Sequence, residues 1–109
     1  MDFELLKSRF NERAIKQLLT MFVETAPGEV FNIEKSLTNQ AFHEVRDQAH
    51  SFRGACSTIC ATDLLRNCRE VEMAADTADK EQCETLFANL KSTFMSTLCE
   101  IEERLVSAG

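Results

Sequence analysis

Apolar residues three and four positions apart run through almost the whole of this chain, and no stretch alternates apolar and polar as a half-buried strand would. The most regular stripe reads Phe42, Val45, Ala49, Phe52, Cys56 and Ile59. This spacing puts one apolar face on an α-helix, and other helices must cover that face. Ile15, Leu18, Leu19, Phe22 and Val23 mark a second helix, predicted from its N-cap Asn11 to about Thr25. Pro27 and Gly28 interrupt the pattern, and Pro27 suits the first turn of a new helix carrying Val30, Phe31, Ile33 and Leu37. Asn39 is then expected to cap the helix of the regular stripe. A further helix over about Thr62–Ala75 buries Leu64 or Leu65, Cys68, Val71 and Ala75. Asp79 with Gln82 three residues on reads as a capping box. It opens a last helix with seven apolar steps, Cys83, Leu86, Leu90, Phe94, Leu98, Ile101 and Leu105, about 27 residues and roughly 40 Å long. Ahead of them all, Phe3, Leu5, Leu6 and Phe10 predict a short helical piece laid across one end of the core.

Helices joined by a few residues bury their stripes most simply in an up-and-down bundle. The expected fold is all-α, an up-and-down four-helix bundle with a short additional N-terminal helix. At 109 residues the chain can bury one core, and residues 1–109 read as one domain. The stripes hold no polar residue that must find an internal partner, so the core reads as structural and the chemistry is expected outside it.

Charge and composition remove several functions. A formal net charge of -6 argues against nucleic acid, whose phosphates need clustered Lys and Arg. The first ten residues carry Asp2, Glu4, Lys7 and Arg9, which a signal peptide's apolar stretch would not, and no later run approaches the roughly 18 apolar residues of a membrane span. The five cysteines (56, 60, 68, 83, 99) are odd in number and contain no CxxC pair. Cys56, Cys60, Cys83 and Cys99 lie on or beside apolar stripes and read as buried free thiols, which implies a reducing, cytoplasmic setting. Between Arg46 and Arg69 there are four arginines (46, 53, 66, 69) against two acids (Asp47, Asp63), a local excess of two positive charges suited to an anionic partner.

His50 stands apart from its helix's apolar face. At about 100° per residue the stripe centres roughly 130° away, so the imidazole is expected to face solvent. Arg46, Asp47, Arg53, Gly54 and Ser57 fall on the same side. Gly54 is the odd choice there, since a mid-helix glycine costs about 1 kcal/mol relative to alanine. The missing side chain leaves space beside the ring for a phosphoryl group or a partner's loop, and Arg53 at i+3 brings a charge suited to phosphate oxygens. His43, two turns earlier and roughly 10 Å away, is too far to share a metal ion and reads as solvated. Arg66 and Arg69 read as surface charge, with docking as the alternative.

His50-Ser51-Phe52-Arg53-Gly54-Ala55-Cys56, continuing through Ile59-Cys60-Ala61 to Leu64, Cys68 and Glu72, resembles the signature of the histidine phosphotransfer (HPt) domain family. The resemblance implies a helical bundle in which His50 accepts a phosphoryl group, Arg53 stabilises its charge and Gly54 gives steric access. Arg46, Asp47 and Ser57 become docking residues. It implies a monomeric cytoplasmic phosphoprotein of a two-component phosphorelay, partnered by response-regulator receiver domains and a (hybrid) histidine kinase, with no nucleic acid and no membrane. The chain needs no cofactor or metal of its own, because Mg²⁺ belongs to the receiver. It is not an enzyme: no Gly-rich nucleotide loop is present, so it is not expected to phosphorylate itself. Arg53 stands where the family usually has Lys, and Cys56 where it has a small polar residue. Cys60 replaces the Gly that ends the active-site helix, so the turn there is expected to differ.

Two other readings stay open. The bundle can be a non-phosphorylated interaction module that binds receiver or kinase domains. Alternatively, Asp47 and His50 at i, i+3 can begin a metal site, completed from other helices.

Overall fold

The computed structural model describes residues 1–108 as five helices: α1 (Phe3–Arg9), α2 (Glu12–Thr38), α3 (Phe42–Thr58), α4 (Thr62–Asp76) and α5 (Lys80–Ala108). Helices α2 to α5 pack in a ring of neighbours, forming an up-and-down bundle about 42 Å long, with α1 added at one end. Leu6 of α1 is fully buried, and the Asp2 carboxylate accepts from the Leu5 N–H at 3.0 Å to start that helix. Among the described residues, no helix is long and apolar enough to cross a membrane. At the centre, Phe22, Phe52 and Phe94 form a triangle with ring centroids 6.0 to 6.2 Å apart, tying α2, α3 and α5 together.

The expected break at Pro27 does not occur. Residues 12–38 form one helix with Pro27 inside it. An interior proline loses one hydrogen bond and costs about 3 kcal/mol. Burial of Ile15, Leu19, Phe22, Ala26, Val30, Ile33 and Leu37 along a single face outweighs this, since each large apolar side chain buried contributes roughly 1.5–3 kcal/mol. Pro27 itself is exposed, so its ring displaces nothing in the core.

Asn39 is likewise not the cap of the next helix. It closes α2, while Ala41 precedes α3 and offers no side-chain cap. The reason lies in the turn. Gln40 takes φ 54°, its N–H donates to the Leu37 carbonyl at 2.9 Å, and the Ala41 N–H donates to Ser36 at 2.9 Å. This is a Schellman turn, and it recurs at both later connections. Cys60 (φ 58°) and Ala78 (φ 54°) occupy the left-handed position, with Ala61 bonded back to Cys56 and Asp79 to Ala74. The altered turn expected at Cys60 is therefore absent: the cysteine adopts the conformation in which a glycine is least strained.

The other boundaries fall where the stripes place them. Asn11 caps α2 by accepting from the Ala14 N–H at 2.9 Å, and Asp79 accepts from the Gln82 N–H at 3.1 Å at the start of α5. Of the alternatives in α4, Leu64 is the fully buried one and Leu65 is half-buried. Cys56, Cys60, Cys68 and Cys83 are buried free thiols, but Cys99, expected to be buried, is exposed, because it sits off the inward face of α5 that Leu90, Phe94 and Ile101 define. The core is less purely apolar than its stripes suggest. Ser36, Asn67 and Thr97 are buried, the Ser36 hydroxyl donating to Glu44 at 3.3 Å.

Candidate functional site

Helix α3 divides its residues between two environments. Val45, Ala49, Phe52 and Cys56 are wholly buried, and the Phe52 ring in the aromatic triangle fixes the rotation of the helix about its axis. With that face inward, His50 turns outward and its side chain is 61% exposed.

The imidazole is held on one side. His50 Nδ1 lies 2.9 Å from Glu72 Oε1 and 3.0 Å from a guanidinium nitrogen of Arg53, while Arg53 lies 3.5 Å from the other carboxylate oxygen of Glu72. One ring nitrogen cannot donate and accept at once. With its hydrogen present, Nδ1 donates to Glu72; without it, Nδ1 accepts from Arg53. The shorter contact and the anionic acceptor favour the first arrangement, in which Arg53 is tethered to the carboxylate. In that arrangement the hydrogen is on Nδ1, and the Nε2 lone pair is engaged by neither contact. This gives an exposed nitrogen nucleophile with its tautomer fixed from behind.

Gly54 leaves the neighbouring space open. A Cβ built on it would meet no atom within 4 Å, so its lack of a side chain answers no crowding within the chain. Ser57, two turns beyond His50, is exposed. Arg46 and Asp47 belong to a separate cluster. The Arg46 guanidinium donates to Asp76 at 3.2 Å and Asp47 at 3.3 Å, and His43 meets Asp47 at 3.3 Å through Nε2 and Arg46 at 3.3 Å through Nδ1. The hydrogen bonds to Asp76 and then Asp47 push Arg46 above its ordinary range. Of the arginines on α3, Arg53 thus contacts the imidazole while Arg46 is engaged by Asp76 and Asp47. Among the described residues, no three His, Cys, Asp or Glu side chains converge as a metal site needs, which leaves Asp47 and His50 without further ligands.

Glu72 falls within the stretch that carries the family resemblance, yet the sequence assigns it no role at the site; on its helix it only follows buried Val71 at the edge of the α4 stripe. Packing of α4 against α3 brings it to His50, 22 positions earlier.

A family model described as Hpt domain matches residues 17–106, nearly the whole chain. No curated protein and no solved structure matches.

Proposed function

The chain belongs to the Hpt domain family, and from that premise we propose that His50 accepts a phosphoryl group from the aspartyl phosphate of one receiver domain and passes it to the aspartate of another. Domains of this family are phosphotransfer modules of two-component signalling, not kinases. The observation that carries the reading is the contact of His50 Nδ1 with Glu72, which leaves Nε2 free on an open surface.

In this reading the Nε2 lone pair attacks phosphorus, the P–O bond to the donor carboxylate breaks, and the electron pair leaves with that carboxylate. The ring then bears a hydrogen on Nδ1 and phosphorus on Nε2. Its positive charge faces Glu72, while Arg53 is within reach of the phosphoryl oxygens. Onward transfer reverses these steps: the next carboxylate attacks, the P–N bond breaks, and the ring leaves as neutral imidazole. No proton moves in either direction. Mg²⁺ is expected on the receiver.

The test is transfer from a panel of receiver domains charged with acetyl phosphate. The parent chain takes up acid-labile, base-stable label, whereas His50→Gln takes up none and keeps its helicity and melting temperature, because the ring is exposed. Label that survives in His50→Gln would move the acceptor elsewhere. A parent chain that binds charged receivers without taking label would be an interaction module.

A further inference from the structure

The four arginines of the basic stretch differ in how their charge is used. Arg46 is paired with Asp76 and Asp47, Arg53 with Glu72, and Arg66 with Asp63 at 3.4 Å and Glu70 at 3.9 Å. The positive excess read between residues 46 and 69 is therefore largely taken up by Glu70, Glu72 and Asp76, which follow it in sequence. Arg69 is different: among the described residues no carboxylate lies within ion-pairing distance of it. It is exposed, one turn before Glu72 on α4, and lines the groove between α3 and α4 together with Arg53 and Glu72. Met73, one turn further along, lines the same groove and is 71% exposed, among the largest apolar exposures on the surface.

We propose that Arg69 and Met73 form the α4 half of the surface on which the phosphoryl-bearing partner protein docks. Arg69 meets the acidic rim of the partner's phosphorylated pocket, and Met73 supplies an adaptable apolar contact beside it. The inference rests on the proposed role of His50 and extends it to a second helix. An acyl phosphate and the carboxylate that bears it are anionic, and they must come within roughly 3–3.5 Å of Nε2. Anything delivering them brings negative charge to the mouth of this groove. The groove's two acids, Glu72 and Asp76, are already matched by Arg53 and Arg46, so Arg69 sets its net sign. The overall charge of -6 disfavours nucleic acid or an anionic membrane as the occupant. Contact between an isolated rim cation and an acidic partner acts on encounter and its salt dependence more than on chemistry.

The experiment measures transfer from charged receiver domains over a range of donor concentrations, at low and high salt. Arg69→Glu is expected to raise the half-saturating concentration about five- to tenfold at low ionic strength, with the maximal rate within about twofold, and the difference should shrink as salt screens the contact. Arg66→Glu, whose parent charge is already held by Asp63 and Glu70, should change half-saturation less than about twofold. Met73→Ala should raise half-saturation at both salt concentrations. Unchanged half-saturation in Arg69→Glu, or equal effects of Arg66→Glu and Arg69→Glu, overturns the proposal while leaving the role of His50 intact. A parent chain that takes no label overturns both. A dimer of the parent in sedimentation, dissolved by Arg69→Glu, would assign the surface to a second copy of the chain and overturn the proposed occupant.

Discussion

His50 Nδ1 and Glu72 Oε1 stand 2.9 Å apart across the α3–α4 interface, while the His50 side chain remains 61% exposed. As an anionic acceptor, the carboxylate favours the tautomer with hydrogen on Nδ1, the one that the proposed attack by Nε2 requires. Glu72→Ala should release the ring and slow transfer by about tenfold or more, on the order of 1.4 kcal/mol of barrier. Glu72→Gln keeps an oxygen acceptor for Nδ1 and should lie between Ala and parent. Nitrogen-15 NMR of the His50 ring tests the cause directly: the parent should show the Nδ1–H tautomer, and Glu72→Ala a mixture. A parental tautomer balance and rate in Glu72→Ala would make this contact incidental.

Arg53 is tethered to Glu72 and lies beside the imidazole, so its charge already stands where the proposed transfer would need it. Arg53→Ala should slow transfer by about ten- to a thousandfold, roughly 1.4 to 4 kcal/mol. Arg53→Lys should recover most of the rate, because a point charge suffices at an open site. Single-turnover rates at saturating donor separate this from a loss of docking.

Gly54 separates stability from activity. A methyl group fits there without contact, so Gly54→Ala should stabilise the fold by roughly 0.5–1 kcal/mol through helix propensity alone. The open space beside His50 is nonetheless reduced, and transfer should slow, more so in Gly54→Gln. Melting temperature and transfer rate measured on the same three proteins should move in opposite directions. A Gly54→Gln variant transferring at the parental rate would remove this space from the docking site.

The three Schellman turns place Gln40, Cys60 and Ala78 at positive φ, where a side chain costs about 1–2 kcal/mol. Ala78→Gly, far in sequence from His50, should therefore stabilise the fold by about 1 kcal/mol, the reverse of the usual effect of replacing alanine with glycine. Cys60→Gly should gain less, since burial of its side chain is lost. Urea denaturation of both variants checks the order.

Burial raises the Glu29 carboxyl above its usual value, and its Oε2 is buried without a hydrogen-bond partner among the described residues. The folded chain then holds this proton more tightly than the unfolded chain. Stability due to Glu29 is greatest below the unfolded-state value of 4.5 and declines as pH rises through the raised folded-state value. Glu29→Gln should accordingly melt higher than the parent at pH 7, and the advantage should vanish near pH 4. An equal difference at both pH values would trace the effect to packing.

Local pattern carried the bundle because each helix declares its inward face at every turn: Val45, Ala49, Phe52 and Cys56 are all buried as spaced. It failed where a local preference met a tertiary demand. Pro27 and Asn39 are boundary signals by composition, yet the unbroken α2 stripe overrides the first and the Gln40 turn the second. At the site, the exposure of His50 and the closeness of Arg53 were legible because both sit on one helix. Glu72 was not, since its meeting with His50 depends on how α4 is rotated and shifted against α3, and no single helix records that. Arg66 and Arg69 likewise look alike in sequence, and only the placement of their neighbours tells the paired cation from the unpaired one.

The clamp of Phe52 between Phe22 and Phe94 has a consequence for association. A helix fixed in rotation presents a face with few torsions left to freeze: Gly54 has none, Ser57 is short, and His50 is already restrained by Glu72. The α3 side of the surface therefore has little side-chain entropy to lose, and the cost of about 0.5–1.5 kcal/mol per immobilised long side chain falls mainly on Arg69 and Met73 of α4. In the proposed relay, a weak, short-lived complex would then still align Nε2 with phosphorus, and two successive partners would exchange on one surface without either having to be held tightly.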